Sequence, residues 1–361
     1  MRELLNFYRN KRVFLTGHTG FKGAWLSELL LAAGAEVCGY ALPAEEGGLF
    51  DQLCLAGRMR SITGDIRDLE HLQQAFQEYR PEFVFHLAAQ ALVRRSYQDP
   101  VETYSTNVMG TVHLLECVRT CAGVRSIVNV TTDKVYRNQG KTRAFQEDAD
   151  QILDGYEPYS NSKSCSELIT GAYIRSFLKA QGIAVSTARA GNVIGGGDMA
   201  ADRILPDCIR AVRQGKAVCV RNPHSVRPYQ HVLEPLSAYL LIAKAQYESP
   251  VKAGAYNVGP ALEDCLTTGE LAKQFCRCWG EGARWLSSPD GGPHEAECLR
   301  LDCHKIKSIL GWTPRWRAKT AVEKTVDWTK AVLAGESAAE VTQRQIWEYF
   351  DTAPASGGET A

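Results

Sequence analysis

Neither sign of charge is in excess in this chain, with 41 Lys and Arg against 41 Asp and Glu, so no long-range field draws it to nucleic acid or to an anionic membrane. No window supplies the roughly 18 uninterrupted apolar residues that cross a bilayer. The start, Met1-Arg2-Glu3-Leu4-Leu5-Asn6, lacks the apolar core of a signal peptide. These absences lead to the expectation of a cytoplasmic protein whose partner is a small molecule, with no nucleic acid and no membrane. There is no internal repeat. Twelve cysteines are present, but they are scattered through apolar segments such as Leu114-Leu115-Glu116-Cys117-Val118, where a free thiol behaves as a small core hydrophobe. Reduced thiols are expected. His294, Cys298, Cys303 and His304 lie close together without a Cys-x-x-Cys pair, and Leu299 and Leu301 suggest a strand that turns Cys303 and His304 to opposite faces. No metal is expected there.

What is present is ordinary globular composition, 45% apolar and 23% charged over 361 residues, enough for a large α/β domain and a smaller one. Arg12-Val13-Phe14-Leu15-Thr16 reads as a buried strand. Gly17-His18-Thr19-Gly20-Phe21-Lys22-Gly23 follows, and then an amphipathic helix with Trp25, Leu26, Leu29 and Leu30. Strand, glycine turn and helix, with a second strand at Glu36–Tyr40, bring backbone N–H groups and a positive helix end to a pyrophosphate. The expected fold is α/β, a Rossmann-type doubly wound parallel sheet with a smaller C-terminal substrate-binding domain. The boundary is expected near 190, with 1–190 binding the dinucleotide, segments near 230–260 returning to it, 191–350 binding substrate and 351–361 a disordered tail.

The second strand ends Gly39-Tyr40-Ala41-Leu42, where neither Asp nor Arg marks NAD or NADP. Asp65, at the end of a third strand, either accepts from an adenine amine or caps a helix. Phe83-Val84-Phe85-His86 runs into Leu87-Ala88-Ala89-Gln90, small residues where backbone passes close to a ligand, and His86 reads as a core histidine. A helix opens at Asn107, and the strand Ser126–Val130 delivers Thr131, Thr132, Asp133 and Lys134 to the C-terminal sheet edge, where ligands bind in open parallel sheets. Tyr159 precedes Lys163 by four residues, so both share a helix face and the ammonium is expected to lower the tyrosine pKa. By itself this pattern is also common on helix surfaces. The glycine run Ala190–Asp198 reads as a loop. Arg227 either clamps a diphosphate through its planar fork or is a solvated surface residue. Val232–Tyr247 reads as an amphipathic helix and Ala255–Gly259 as a last sheet strand.

Gly17-x-x-Gly20-x-x-Gly23, Thr132-Asp133-Lys134 and Tyr159-x-x-x-Lys163 together resemble the extended short-chain dehydrogenase/reductase family of nucleotide-sugar enzymes. Tyr104–Thr111, Ala190–Asp198, Arg227–Pro235 and His294-Glu295-Ala296 extend the resemblance over nearly the whole chain. It implies bound NAD, a homodimer or homotetramer, and 4,6-dehydration of a nucleotide sugar, CDP-glucose. The alternative it leaves is a 4-epimerase or a dehydratase of another nucleotide sugar. Carried over, the catalytic residues are Thr132, Asp133, Lys134, Tyr159 and Lys163. Tyr159 takes the proton of the 4-hydroxyl, Lys163 holds the nicotinamide ribose, Asp133 is the acid at the 6-hydroxyl, and Lys134 is base or positioner at C5. Cofactor contacts are implied for Gly17, Thr19, Gly20, Phe21, Lys22, Gly23, Asp65, Ile66, Ala88, Ala89, Gln90 and Asn107, besides Tyr159 and Lys163. Substrate contacts are implied for Gln90, Arg189, Asn192, Arg203, Arg227, His231 and His294. Three places depart from the family. Residues 137–145 replace a tryptophan- and glycine-rich insert, Met199 and Tyr229 stand where tryptophan is expected, and relatives acting on dTDP-glucose have glutamate at the place of Lys134. The first two bear on the substrate, the third on the base at C5.

Overall fold

The structure, a computed structural model, describes residues 2–138, 140, 143–288 and 298–354. Its centre is a seven-stranded sheet of β1 (Arg12–Thr16), β2 (Glu36–Ala41), β3 (Arg60–Thr63), β4 (Phe83–His86), β5 (Ser126–Val130), β6 (Ala184–Ala190) and β11 (Ala255–Val258). The order is β11-β6-β5-β4-β1-β2-β3 and every pairing is parallel. Between them along the chain come the short strands β7 (Val193–Ile194), β8 (Val218–Val220), β9 (Val226–Arg227) and β10 (Gln230–His231), and after them β12 (Leu266–Thr267) and β13 (Trp285–Ser287). The strand order reverses between β1 and β4, which opens a crevice at their C-terminal ends.

The central strands are continuous apolar runs because helices cover both sheet faces. Alternate side chains feed two cores. Val13, Leu15, Phe83, Phe85 and Val128 pack with Trp25, Leu29 and Leu236, while Phe14, Val84, Ile127 and Val185 pack with Leu72, Phe76, Leu114 and Val118. A third core joins the helices Ile204–Arg213, Thr268–Trp279 and Ala318–Leu333 through Leu205, Leu271, Phe275 and Val322.

Several expectations are corrected. The helices Phe21–Ala32 and Leu233–Glu248 are not amphipathic. Their outward faces are covered by the C-terminal layer, so even Glu28 and Glu234 are buried. Glu28 is matched there by Arg58 at 2.6 Å and Gln343 at 2.8 Å. The glycine run contains β7, paired with β10, and Gly196 is needed because a Cβ there falls 2.1 Å from the Trp328 ring. Leu299 and Leu301 are buried, but among the described residues their segment forms only isolated bridges, Cys298 with Val226 and Leu301 with Phe145. At the end of the chain, Asp351 closes the helix Ala338–Asp351 and takes a 2.8 Å hydrogen bond from Arg2 Nε, so it is not part of a tail. Residues 355–361 lie outside the described residues. All twelve cysteines are free thiols.

Glu234 fastens the C-terminal layer. It accepts from the backbone N–H groups of Arg315 and Trp316 at 2.9 and 2.7 Å and from the Tyr349 hydroxyl at 2.8 Å. Burial pushes its carboxyl up from 4.5 to about 7 against these donors. The folded chain therefore holds this proton more tightly than the unfolded chain. The resulting stability is fully present below the unfolded value and is lost as pH rises through about 7. Glu234→Gln keeps an acceptor without the titration. The melting temperature of the variant relative to wild type is expected to rise from about pH 5 to about pH 8; a difference that stays flat contradicts this reading.

Candidate active site

The glycine turn after β1 is shaped by close backbone approach. Gly17 has φ +76°, and a Cβ on it meets the Ala88 nitrogen at 2.8 Å. A Cβ on Gly23 falls 2.0 Å from the Gly17 carbonyl oxygen. Gly20 caps the helix Phe21–Ala32 with no side-chain hydrogen bond, so the first-turn N–H groups are presented to the crevice. Ala88 passes over this turn, its N–H donating to Thr16 Oγ1 at 3.2 Å, and Ala89 follows. Thr19 donates to the Leu42 carbonyl at the end of β2. Gly39, on β2, admits the His18 ring, which a Cβ would meet at 2.2 Å, and His18 bonds Ser61 Oγ at 2.7 Å. Asp65 is held by Arg67, whose Nε lies 3.0 Å from both carboxylate oxygens. Its carboxylate therefore faces a guanidinium, and the next helix is capped by Asp68 instead. Ile66 is buried and its carbonyl contacts His113 Nδ1 at 3.1 Å.

A cavity of about 700 Å³ opens at the C-terminal ends of β5 and β6. Thr131, Thr132, Lys134 and Tyr159 line it from one side, joined by Lys22 from the glycine turn. Asp133 lies buried just behind. Its Oδ1 accepts from Lys134 Nζ at 2.9 Å and from Thr132 Oγ1 at 3.0 Å, and its Oδ2 has no partner among the described residues. Tyr159 sits in the first turn of the helix Pro158–Tyr173. Glu157 caps that helix, accepting from Tyr159 N at 2.7 Å and from Ser160 N at 3.2 Å.

The expected lowering of Tyr159 by Lys163 is not what the site contains. Lys163 is buried and donates to the Val130 carbonyl at 3.1 Å, and burial brings its ammonium down to about 8. Burial pushes the Tyr159 phenol up to about 12, with the Asp133 and Glu157 carboxylates adding to the rise. The Thr132 hydroxyl and the Arg203 guanidinium pull the other way. Burial likewise brings Lys22 down to about 7, helped by the neighbouring cations Arg203 and Lys163.

Of the residues expected to meet substrate, Asn192, Arg203 and Arg227 line the cavity. Asn192 Oδ1 is buried with no partner among the described residues, Arg203 pairs with the buried Asp198 at 3.0 Å, and Arg227 donates to the Val226 carbonyl. Three others do not line the cavity. Arg189 is buried in a two-point ion pair with Glu167. His231 is enclosed edge-on between Trp25 and Trp316, with ring centroids 5.7 and 4.9 Å away, and burial brings it down to about 3. Gln90 spends its side chain internally on Leu92 and Thr103. Asn107 supports that loop from behind, bonding Gln90 N, Gln90 O and Ser162 Oγ. His294 lies outside the described residues. Of the two places expected to hold tryptophan, Tyr229 lines the cavity and Met199 is exposed.

Sequence reasoning gave no site role to Glu157, Glu167, Asp198 and Arg221. Glu157 and Glu167 carried a signal, since one stands at a helix start before Pro158 and the other one turn after Lys163. Asp198 and Arg221 meet the cavity only through tertiary packing.

The chain matches the GDP-mannose 4,6 dehydratase family over residues 14–325. It is 46% identical to the CDP-glucose 4,6-dehydratase of Salmonella typhimurium over 96% of this chain and 98% of that one. Among solved structures it is similar to a Thermus thermophilus UDP-glucose 4-epimerase in complex with NAD, at 27% identity and TM-score 0.75 over 88% of this chain and 98% of that one. It also shares its fold with a Bacillus anthracis dTDP-glucose 4,6-dehydratase in complex with NAD, at 22% identity and TM-score 0.73 over 88% and 96%.

Proposed function

The chain belongs to the GDP-mannose 4,6 dehydratase family of extended short-chain dehydrogenase/reductases, and on that premise we propose how its residues carry out an NAD-dependent nucleotide-sugar 4,6-dehydration. CDP-glucose is the proposed substrate, from the 46% identity to an enzyme of that name. The observation that carries the reading is the Thr132-Asp133-Lys134 turn facing the same cleft as Tyr159. A hydroxyl, a carboxylate and an ammonium beside a tyrosine are what an elimination needs beyond a simple oxidation and reduction at C4. That excess favours the dehydratase over a 4-epimerase.

The residues present fit NAD. The cradle leaves no room for a side chain at Gly17 or Gly23 and, with Gly20 at the helix start, turns uncapped N–H groups to a diphosphate. NAD supplies the acceptor that takes the C4 hydride and later returns it to C6. Gly23→Ala puts a methyl group into the turn, and NAD affinity measured by calorimetry is expected to fall about tenfold or more; unchanged affinity counts against the cradle.

Tyr159 takes the proton of the 4-hydroxyl as its phenolate, the form that burial and the Asp133 and Glu157 carboxylates oppose and the Thr132 hydroxyl and the Arg203 charge favour. The 4-keto group acidifies the C5 proton. The 2.9 Å hydrogen bond between Lys134 and Asp133 lets one proton pass between them. When it resides on Asp133, Lys134 is a neutral amine that accepts the C5 proton and Asp133 an acid that protonates the departing 6-hydroxyl. These two steps expel water and leave ammonium and carboxylate. As the hydride returns to C6, Lys134 gives its proton back to C5, and the proton that Tyr159 took from the 4-hydroxyl recharges Asp133 through Thr132, whose hydroxyl bonds both. Arg203 and Arg227 are proposed to hold the diphosphate and Asn192 to orient the sugar.

The division near residue 190 into a cofactor half and a sugar-nucleotide half is part of this reading. So is a homo-oligomer, formed through the apolar residues Met109, Leu168 and Phe177 exposed on the helices 105–120 and 158–178. No helix among the described residues is long and apolar enough to cross a membrane, and a cytoplasmic location is proposed. The test is incubation with CDP-glucose, dTDP-glucose, UDP-glucose and GDP-mannose, followed by the alkali-induced absorbance of a 4-keto sugar. The strongest signal is expected with CDP-glucose; no signal with any of the four rejects the reading.

A further inference from the structure

Behind the reacting groups lies a buried carboxylate with every acceptor position in use. Glu167 Oε1 accepts from Thr131 Oγ1 at 2.6 Å and from Arg189 Nε at 2.9 Å. Its Oε2 accepts from Thr187 Oγ1 at 2.7 Å and from Arg189 Nη2 at 2.9 Å. Arg189 continues the chain, donating through Nη1 to the Tyr136 hydroxyl at 2.9 Å, and Tyr136 donates to Asn257 Oδ1 at 2.6 Å.

A buried ion pair is a poor way to gain stability, because desolvation offsets most of its attraction and an apolar pair of similar volume does as well. What such a pair does well is fix relative position. The elements joined here carry the site. Glu167 lies one helical turn beyond Lys163, on the helix that also bears Tyr159. Thr131 opens the turn holding Thr132, Asp133 and Lys134. Arg189 is on β6, which leads directly to Asn192. Thr131 N also bonds the Ala188 carbonyl at 2.9 Å, so Thr131 is tied to β6 through its backbone and to the helix through its hydroxyl.

We propose that Glu167, locked by Arg189, is a positioning residue that acts through the Thr131 hydroxyl to hold the Thr132–Lys134 turn in register with Tyr159 and Lys163. The proposal rests on the dehydratase reading for its kinetic consequence, but its geometry does not. Electrostatics agree with the placement, since the Glu167 carboxylate raises the buried Lys163 ammonium against the pull of desolvation.

Replacing Glu167 or Arg189 strands a buried charge and risks the fold, so Thr131 is the place to test. Thr131→Val keeps the shape and removes only the hydroxyl, while Thr131→Ser keeps the hydroxyl. For CDP-glucose, kcat of Thr131→Val is expected to fall roughly tenfold or more with KM within about threefold, and Thr131→Ser to recover most of the loss. In crystal structures, Asp133 and Lys134 of Thr131→Val are expected to shift by about 0.5 Å or more against the helix Pro158–Tyr173. An unmoved turn overturns the proposal whatever reaction the site performs. A kcat equal to wild type, or equal losses in Val and Ser, overturns it while leaving the dehydratase reading intact. Absence of keto sugar from the wild type instead rejects the reading, and the displacement then decides the positioning role alone.

Discussion

Tyr159→Phe is expected to lower 4-keto-sugar formation by roughly 1,000-fold or more, the upper part of the range for removing a positioned acid/base, while NAD stays bound. The phenyl ring keeps the packing of the first helical turn, which is fixed independently by Glu157 on the Tyr159 and Ser160 N–H groups. What is lost is the phenolic oxygen, which bonds the Thr132 hydroxyl and feels both Asp133 and Arg203. The diphosphate cradle is built from Gly17 to Gly23 and does not involve the tyrosine. Substrate KM should move little, because the hydroxyl acts in the transition state more than in binding. Activity within about tenfold of wild type excludes Tyr159 as the group that takes the proton.

Asp133→Asn separates the two halves of the reaction. The amide oxygen still accepts from Lys134 and Thr132, so the turn keeps its shape, but it cannot take the proton from Lys134 and pass it to the 6-hydroxyl. Oxidation at C4 depends on Tyr159 and proceeds. Elimination is expected to slow by roughly 100-fold or more, and reduced cofactor should accumulate on the enzyme, visible in rapid-mixing absorbance after CDP-glucose is added. A variant that turns over at the wild-type rate with no reduced cofactor contradicts the role of Asp133. Equal slowing of both steps contradicts the division of labour between the turn and the helix.

The sheet was legible because its strands are short apolar runs between turn residues, and two-sided coverage leaves such runs unbroken. The glycine turn and the delivery of Thr131–Lys134 to the sheet edge were legible for the same reason. What failed depended on contacts from distant parts of the chain. Nothing around His231 announces that Trp25 and Trp316 enclose it. Arg189 and Glu167 are separated by most of a helix and a strand, so a guanidinium at a strand end read as a ligand for substrate when it is matched inside the protein. The helices Phe21–Ala32 and Leu233–Glu248 look amphipathic only until the C-terminal helices are laid over them. Spacing correctly put Tyr159 and Lys163 on one helix, but it did not show that the lysine ammonium donates to the Val130 carbonyl.

The most direct measurement of the central claim follows one hydrogen. With CDP-glucose deuterated at C4, a 4,6-dehydratase built as described returns the label to C6 of the same molecule, so the 4-keto-6-deoxy product carries deuterium at C6. The arrangement of Tyr159, Asp133 and Lys134 predicts that result. Deuterium recovered at C4 of a sugar that still has its 6-hydroxyl means the site only oxidises and reduces at C4, and that result contradicts the account.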